Sequence, residues 1–391
     1  MKALFISHKP PYPIIDGGCH AMDRMLRDFI LAYPEAVISY VYFATEKHPG
    51  NTKKIPSEIK KNVDFIGIPI STKINPLSAF IHLFNNKSYN VSRFVKANIK
   101  KQIESLLSQN DFDIVLFESI FSGGYIEDIR CISNAKLVYR AHNIEHKIWE
   151  DLSKGEKNPL KKWYFKHLSR KLKAFELQFL NKIDLIMSIS ELDQSYFKNQ
   201  TKTRSIYIPV SMKPDSKKII QNSALCFLGA FNWLPNKEAM LWFVDNVFKD
   251  LSNKFPALTL EIAGSFSNEI TSISEKPNVN LHGFVESSKE FIAMNGIFVA
   301  PLLSGSGVKM KVLEAMSLGV PCVLSSKAAE GLTLPEIIPV CQSKADFIEK
   351  LSILLLDKEL CEKIGKAGQE FIETEFSSEL VSNKLIDSLK T

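Results

Sequence analysis

Ala300-Pro-Leu-Leu-Ser-Gly-Ser-Gly-Val-Lys-Met-Lys-Val-Leu-Glu-Ala-Met-Ser-Leu-Gly-Val-Pro-Cys-Val-Leu-Ser-Ser326 reads as strand, turn, helix and strand. The first strand ends at Leu303, Gly305-Ser306-Gly307 makes the turn, and a helix is expected from about Lys309 to Leu318. Gly319 is placed to cap it and Pro321 opens the next strand. Glycines let a backbone come close to a ligand, and the N–H groups left over at a helix start suit a phosphate or diphosphate. Val308, Met310 and the backbone from Lys309 to Lys311 stand at that start, and the two lysines add charge. Glu314, about a turn and a half on, is spaced to accept hydrogen bonds from a ribose. The plainer alternative is a solvated surface turn with soluble lysines. Placement at the carboxyl end of a strand, where open parallel sheets bind ligands, favours the nucleotide site.

The same alternation recurs on either side of this stretch. Short apolar runs stand near residues 2–8, 37–44, 63–69, 114–118, 136–141, 184–189 and 205–210, and again near 224–229, 258–264, 279–283, 297–302, 321–325 and 338–341. Segments of helical period separate them, which is the pattern of strands and helices built around parallel sheets. The chain has 391 residues, more than the roughly 250–300 at which one core stops growing, so two Rossmann-like domains facing a central cleft are expected. Residues 1–208 form the first and 224–376 the second. The polar, proline-bearing stretch 209–223 is the linker, and 377–391 is a terminal helix, with Val381, Leu385 and Leu389 on one face, packing back on the first domain.

With 45% apolar and 24% charged residues the chain is of the soluble globular class. A net charge of +6 with interspersed signs lacks the clustered surplus of a nucleic-acid binder. Six widely spaced cysteines without a CxxC pair argue against a disulfide framework or a zinc site, and point to a reducing cytosol. No run approaches the ~18 apolar residues of a membrane span.

In the first domain, Gly17-Gly18 precedes a helix, where a paired glycine can cradle phosphate, admit an acceptor or simply loosen the loop. Val138-Tyr-Arg-Ala-His142 sets His142 at the carboxyl end of a strand, the best first-domain candidate for an active-site residue. Glu118 ends another strand. His142 and His146 lack a third ligand for a metal, and Asp111-Phe-Asp113 reads as the polar lead-in to a strand. Ser190-Glu-Leu-Asp193 fits a helix start. From Pro159 to Phe179 a helix carries Tyr164, Leu168, Leu172 and Phe175 on one face and Lys162, Lys166, Arg170 and Lys173 on the other. The basic face suits either anionic headgroups or plain solvent; if the apolar face is buried, only charge remains to touch a membrane.

Leu313-Glu-Ala-Met-Ser-Leu-Gly-Val-Pro321 resembles the matching segment of retaining GT-B glycosyltransferases, in particular glycosyltransferase family 4. The resemblance extends through Phe227-Leu-Gly-Ala-Phe-Asn-Trp-Leu-Pro-Asn236, Leu260-Glu-Ile-Ala-Gly264 and Leu281-His-Gly-Phe-Val285. It implies a GT-B fold and transfer of a sugar, with retention and without a metal or resident cofactor, from a nucleotide-diphosphate sugar to a glycan, lipid-linked or other glycoconjugate acceptor. It implies donor contacts at Gly17, Gly18, Gly229 and Gly305 to Lys311, with Glu314 on the ribose and Gly283-Phe284-Val285 on the base. His142 would meet the donor sugar, and Lys309, with Lys237 as second choice, would balance the diphosphate. Many members carry a second glutamate where this chain has Ser306, and the usual Arg and Lys after the first strand of the second domain are replaced by Asn232, Asn236 and Lys237. A GT-B sugar-nucleotide epimerase and a GT-B-like partner subunit without catalysis are the rival readings. The family also implies polysaccharide or glycoconjugate assembly in the cytoplasm, at the inner face of the membrane.

Overall fold

The computed structural model describes residues 1–215, 224–305 and 307–390. Two parallel sheets organise them. In the first, β1 (Lys2–Ser7), β2 (Val37–Ala44), β3 (Val63–Pro69), β4 (Ile114–Phe117), β5 (Lys136–Ala141), β6 (Leu185–Ser188) and β7 (Arg204–Tyr207) lie in the order β3-β2-β1-β4-β5-β6-β7. In the second, β8 (Ala224–Leu228), β9 (Thr259–Ala263), β10 (Val279–Gly283), β11 (Ile297–Ala300), β12 (Cys322–Ser325) and β13 (Val340–Cys341) lie in the order β10-β9-β8-β11-β12-β13. All thirteen expected runs are strands, and each sheet is a Rossmann-like α/β layer.

Strands covered by helices on both faces must be apolar throughout. Accordingly β4, β6, β11 and β12 are buried at every residue. Strand order reverses between β1 and β4 in the first sheet and between β8 and β11 in the second. At such a reversal the loops after two neighbouring strands diverge and leave a crevice at their carboxyl ends.

Two compact units result: Met1–Ser211 with Val381–Thr391, and Met212–Leu380. The linker expected at 209–223 begins inside folded structure. Residues 209–212 are buried, the Met212 N–H donates to Phe376 O at 2.7 Å, and the Asp215 N–H donates to Ser317 O at 2.8 Å. Residues 216–223 lie outside the described residues, as does Ser306. The last helix runs Ser378–Leu389, and its Val381 and Leu385 are fully buried. Ser382 Oγ donates to Asp28 O at 3.1 Å and Lys136 Nζ donates to Ser388 O at 3.4 Å, which seats the helix on the first unit.

Candidate functional site

In the second unit the crevice is built by close backbone crossings. The Gly229 N–H donates to Ala263 O at 3.0 Å and the Gly264 N–H to Gly283 O at 2.7 Å. Gly264 has φ +147°, and a Cβ there would stand 1.8 Å from Gly229 O. Only glycine permits this crossing, which brings the ends of β8, β9 and β10 together. Gly283 turns the chain with φ +72°, leaving Phe284 73% exposed while Val285 packs on the core.

Across the sheet, Gly305 (φ +99°) and Gly307 (φ +76°) bend the loop after β11 into the helix Met310–Ser317. Lys309 is its N-cap residue with extended backbone, and its own side chain does not cap the helix; the Val312 N–H turns back to Lys309 O at 2.8 Å, and a helix start leaves its earliest N–H groups without a partner inside the helix. Lys309 Nζ donates to Gly307 O. Lys311 Nζ donates to Asn236 Oδ1 at 2.7 Å and lies 3.9 Å from the centre of the Phe227 ring. Burial holds its pKa well below the usual lysine value, with the charge of Lys309 adding to the effect. Among the described residues Lys311 forms no ion pair with a carboxylate, so an arriving anion would stabilise its charged form. Glu314 Oε1 accepts from Ser288 Oγ at 2.7 Å. Lys237, by contrast, is paired with Glu269 at 2.9 Å. The structure therefore brings Gly229, Gly283, Gly305, Gly307, Lys309, Lys311 and Glu314 to one edge of one sheet and gives Lys237 a partner of its own.

In the first unit, Glu118 follows β4 and is fully buried. Its Oε2 lies 2.8 Å from His142 Nε2 and 4.0 Å from Arg140 Nε. A carboxylate only accepts, so this contact places the imidazole proton on Nε2 and leaves Nδ1 for another partner. Arg140 is also fully buried and its Nε and Nη1 make no hydrogen bond; burial lowers its pKa, and the charges of Glu118 first and then Asp28 offset it. Beside them, burial and the charges of Lys9 and His142 push the His8 pKa well down.

The Gly17-Gly18 helix start differs from a phosphate cradle. Asp16 caps it by accepting from Cys19 N–H at 2.9 Å, and Lys9 Nζ pairs with the same carboxylate at 2.7 Å. Although burial raises the Asp16 pKa, hydrogen bonds from His48 and Lys9 outweigh it and hold the group far below the usual carboxylate range. The anion at this helix start is the protein's own. Gly18 matters because a Cβ would come within 2.8 Å of Lys9 Nζ.

His142 and His146 diverge, since His146 Nδ1 bonds the buried Glu176. Glu145 next to it has its pKa raised to about 7, by burial first and then by the charge of Glu176. A carboxyl that titrates near neutrality can hold or release a proton. Asp113 Oδ2 accepts from the Lys2 N–H at 2.7 Å, and Ser190 Oγ accepts from the Asp193 N–H at 3.0 Å, both structural roles. Lys162, Lys166, Arg170 and Lys173 are exposed, while Leu168 and Leu172 opposite them are buried in the unit.

Both sheets and both crevices are those of the GT-B glycosyltransferase architecture. Sucrose-phosphate synthase from Thermosynechococcus elongatus matches with TM-score 0.72 at 13% identity, over 98% of this chain and 97% of that one. TarM of S. aureus matches with TM-score 0.71 at 13% identity (100% and 99%), and Anabaena HepE in complex with UDP with TM-score 0.69 at 13% identity (100% of both). Residues 222–357 match the family described as Glycosyl transferases group 1. An uncharacterized 44.6 kDa protein in the cps region of Klebsiella pneumoniae is 26% identical over 345 residues, 84% of each chain. The chain thus has the GT-B fold, and its second unit carries the group 1 glycosyl transferase pattern.

Sequence reading did not single out Ser288, Arg140, Asp16 or Glu145. Ser288 and Asp16 are ordinary cap-type residues whose meaning depends on what lies across from them. Arg140 was legible only as an arginine inside an apolar strand.

Proposed function

We propose that the protein is a retaining, family 4-type glycosyltransferase that moves a hexose from a nucleotide-diphosphate sugar to a glycan, lipid-linked or other glycoconjugate acceptor held by the first unit. The observation that carries this reading is a helix start after a Gly-containing loop, with Lys309 and Lys311 at its first turn and Glu314 bonded by Ser288, all at the strand-order reversal of the second sheet. As the glycosidic bond breaks, negative charge gathers on the leaving diphosphate. The first-turn N–H groups and the two lysines stabilise that charge, which is where a pre-arranged site gains most. Glu314 accepts from the ribose, Phe284 and Val285 cover the base, and His142, oriented by Glu118, meets the sugar.

Solved structures of HepE with UDP and UDP-glucose, and of TarM with UDP, support a nucleotide-sugar donor. The relative in a cps region supports a place in polysaccharide biosynthesis. Exposed Lys162, Lys166, Arg170 and Lys173 would add electrostatic attraction to an anionic inner membrane face in the cytoplasm.

Thermal unfolding with UDP, GDP, ADP and TDP sugars tests the donor site. Ligand at about 100 times its Kd stabilises by ~2.7 kcal/mol. One nucleotide class is expected to raise the melting temperature, and Glu314→Ala to abolish the rise. No rise with any donor sinks the assignment of this site and favours the partner subunit. Product analysis with a chelator present then separates transfer from release of an epimer or free sugar.

A further inference from the structure

One helix of the first unit is built against the usual rule for a water-facing helix. Pro76–Phe84 starts from strong local signals: Asn75 Oδ1 accepts from the Ser78 N–H at 3.0 Å, and Pro76 occupies the first turn. None of its residues is buried, and Leu77, Phe80, Ile81 and Phe84 are exposed by 53–78%. Their spacing of i, i+3, i+4, i+7 makes one apolar stripe, extended by exposed Ile74. Helices of this length are marginal in water unless packing supports them. An apolar stripe without such packing marks a surface that meets another phase or molecule.

Beneath the stripe lies a cavity of about 190 Å³ lined by Ser71, Lys73, His82, Ser92, Arg93 and Lys96, among others. Tyr89 holds its wall, accepting from the Asn75 N–H at 2.9 Å. Arg93 Nη1 donates to Thr72 O at 3.3 Å, while its Nε is buried without a hydrogen bond. Among the described residues, Lys73, Arg93 and Lys96 form no ion pair. Glu46 reaches the rim, where its Oε2 accepts from the Thr72 N–H at 3.5 Å. Six lysines and arginines, and no aspartate or glutamate, stand between Asp64 and Glu104. Lys171 of the helix Pro159–Leu180 donates to the carbonyls of His82, Leu83 and Asn85, tying the two helices together. That second helix adds exposed Leu160 and Trp163 beside Lys161 and Lys162.

We propose that this face is a phospholipid-docking site: the stripe Ile74–Phe84 enters the acyl layer while Lys73, Arg93 and Lys96 take the phosphate of a lipid headgroup into the cavity. The chemistry of this face selects an anionic bilayer. A three-cation cavity matches a phosphate, an interfacial helix needs apolar residues on the side it buries, and Trp163 is of the type that settles at headgroup level. A second copy of the chain would set this cationic surface against itself, which like-charge repulsion opposes. The proposal goes beyond sugar transfer and is read without any donor.

Vesicle flotation tests it, using phosphatidylcholine alone and phosphatidylcholine with phosphatidylglycerol. The protein is expected to float with the anionic vesicles. Phe80→Ser with Phe84→Ser should weaken partition by about tenfold or more at low and high salt alike. Arg93→Gln with Lys96→Gln should weaken it by about fivefold per charge at low salt only. All four positions are outside the core, and unchanged melting temperatures check that the fold is kept. Tryptophan fluorescence of the unmutated protein should be quenched by lipids brominated on the acyl chain, and the quenching should fall in Trp163→Phe, which leaves the other three of the four tryptophans in place. Absence of flotation and of quenching, binding unaffected by the Phe pair, or release by millimolar inorganic phosphate would each overturn the proposal, the last by showing a site for free phosphate. Self-association lost in the Phe pair without vesicle binding would replace the membrane by a second copy.

Discussion

Replacing Glu118 by Gln removes one charge and almost no volume, and the surroundings set the cost. Glu118 is fully buried, 2.8 Å from His142 and 4.0 Å from the fully buried Arg140. Removing one partner of a buried pair costs about 3–5 kcal/mol when the other charge is left without compensation. The contact to Arg140 is long and Asp28 still acts on that guanidinium, so the lower end applies. For a unit of this size each kcal/mol moves the melting temperature by about 2–4 °C, giving a fall of at least ~6 °C for the first unit. Scanning calorimetry of E118Q, R140M and the double variant measures it. The double variant should recover part of the loss relative to R140M, because Glu118 leaves together with the cation that faces it, while Asp28 stays. E118Q should also lower turnover beyond its effect on folding, since the imidazole loses the carboxylate that fixes its proton. A shift under about 2 °C in E118Q, or a double variant no better than R140M, would show that Glu118 and Arg140 do not compensate each other.

Glu145→Gln should change stability with pH. The native pKa of about 7 lies above the ordinary carboxylate value, so the native state binds the proton more tightly. The wild type therefore loses stability as pH rises through the interval up to about 7. E145Q should raise the melting temperature at pH above neutrality and not at pH near 4, and an equal effect at both would refute the assignment. Gly264→Ala forces a methyl group to 1.8 Å from Gly229 O at a φ of +147°. A loss of about 3 kcal/mol or more is expected, with reduced nucleotide binding, and a denaturant midpoint equal to wild type would contradict it.

Sequence reading reached the fold because parallel strands buried on both faces leave nearly continuous apolar runs, as Ile114–Phe117 and Ile297–Ala300 do. It was weakest at the sheet margin, where only Val340–Cys341 of the run near 338–341 pairs. Single site residues at strand ends were legible for the same reason. Their partners were not: His142 and Glu118 are 24 positions apart and meet only because β4 and β5 are neighbours with Phe117 opposite Tyr139. The raised pKa of Glu145 likewise depends on burial first and then on the charge of Glu176, 31 positions away, and neither is visible in sequence. The helix Pro76–Phe84 escaped notice because apolar residues at helical spacing look the same in sequence whether protein covers them or not.

The seat of the terminal helix bears on how the chain matures. Met1–Ser211 is synthesised before the second unit, yet Val381 and Leu385 fill part of its core and Ser382 bonds Asp28 O. Domains usually fold in the order in which they emerge from the ribosome. Here the unit made first must wait, with an apolar seat open, until the last one is finished. A fragment ending at Ser211 is therefore incomplete, and a premature stop near residue 380 damages the half of the molecule farthest from it in sequence.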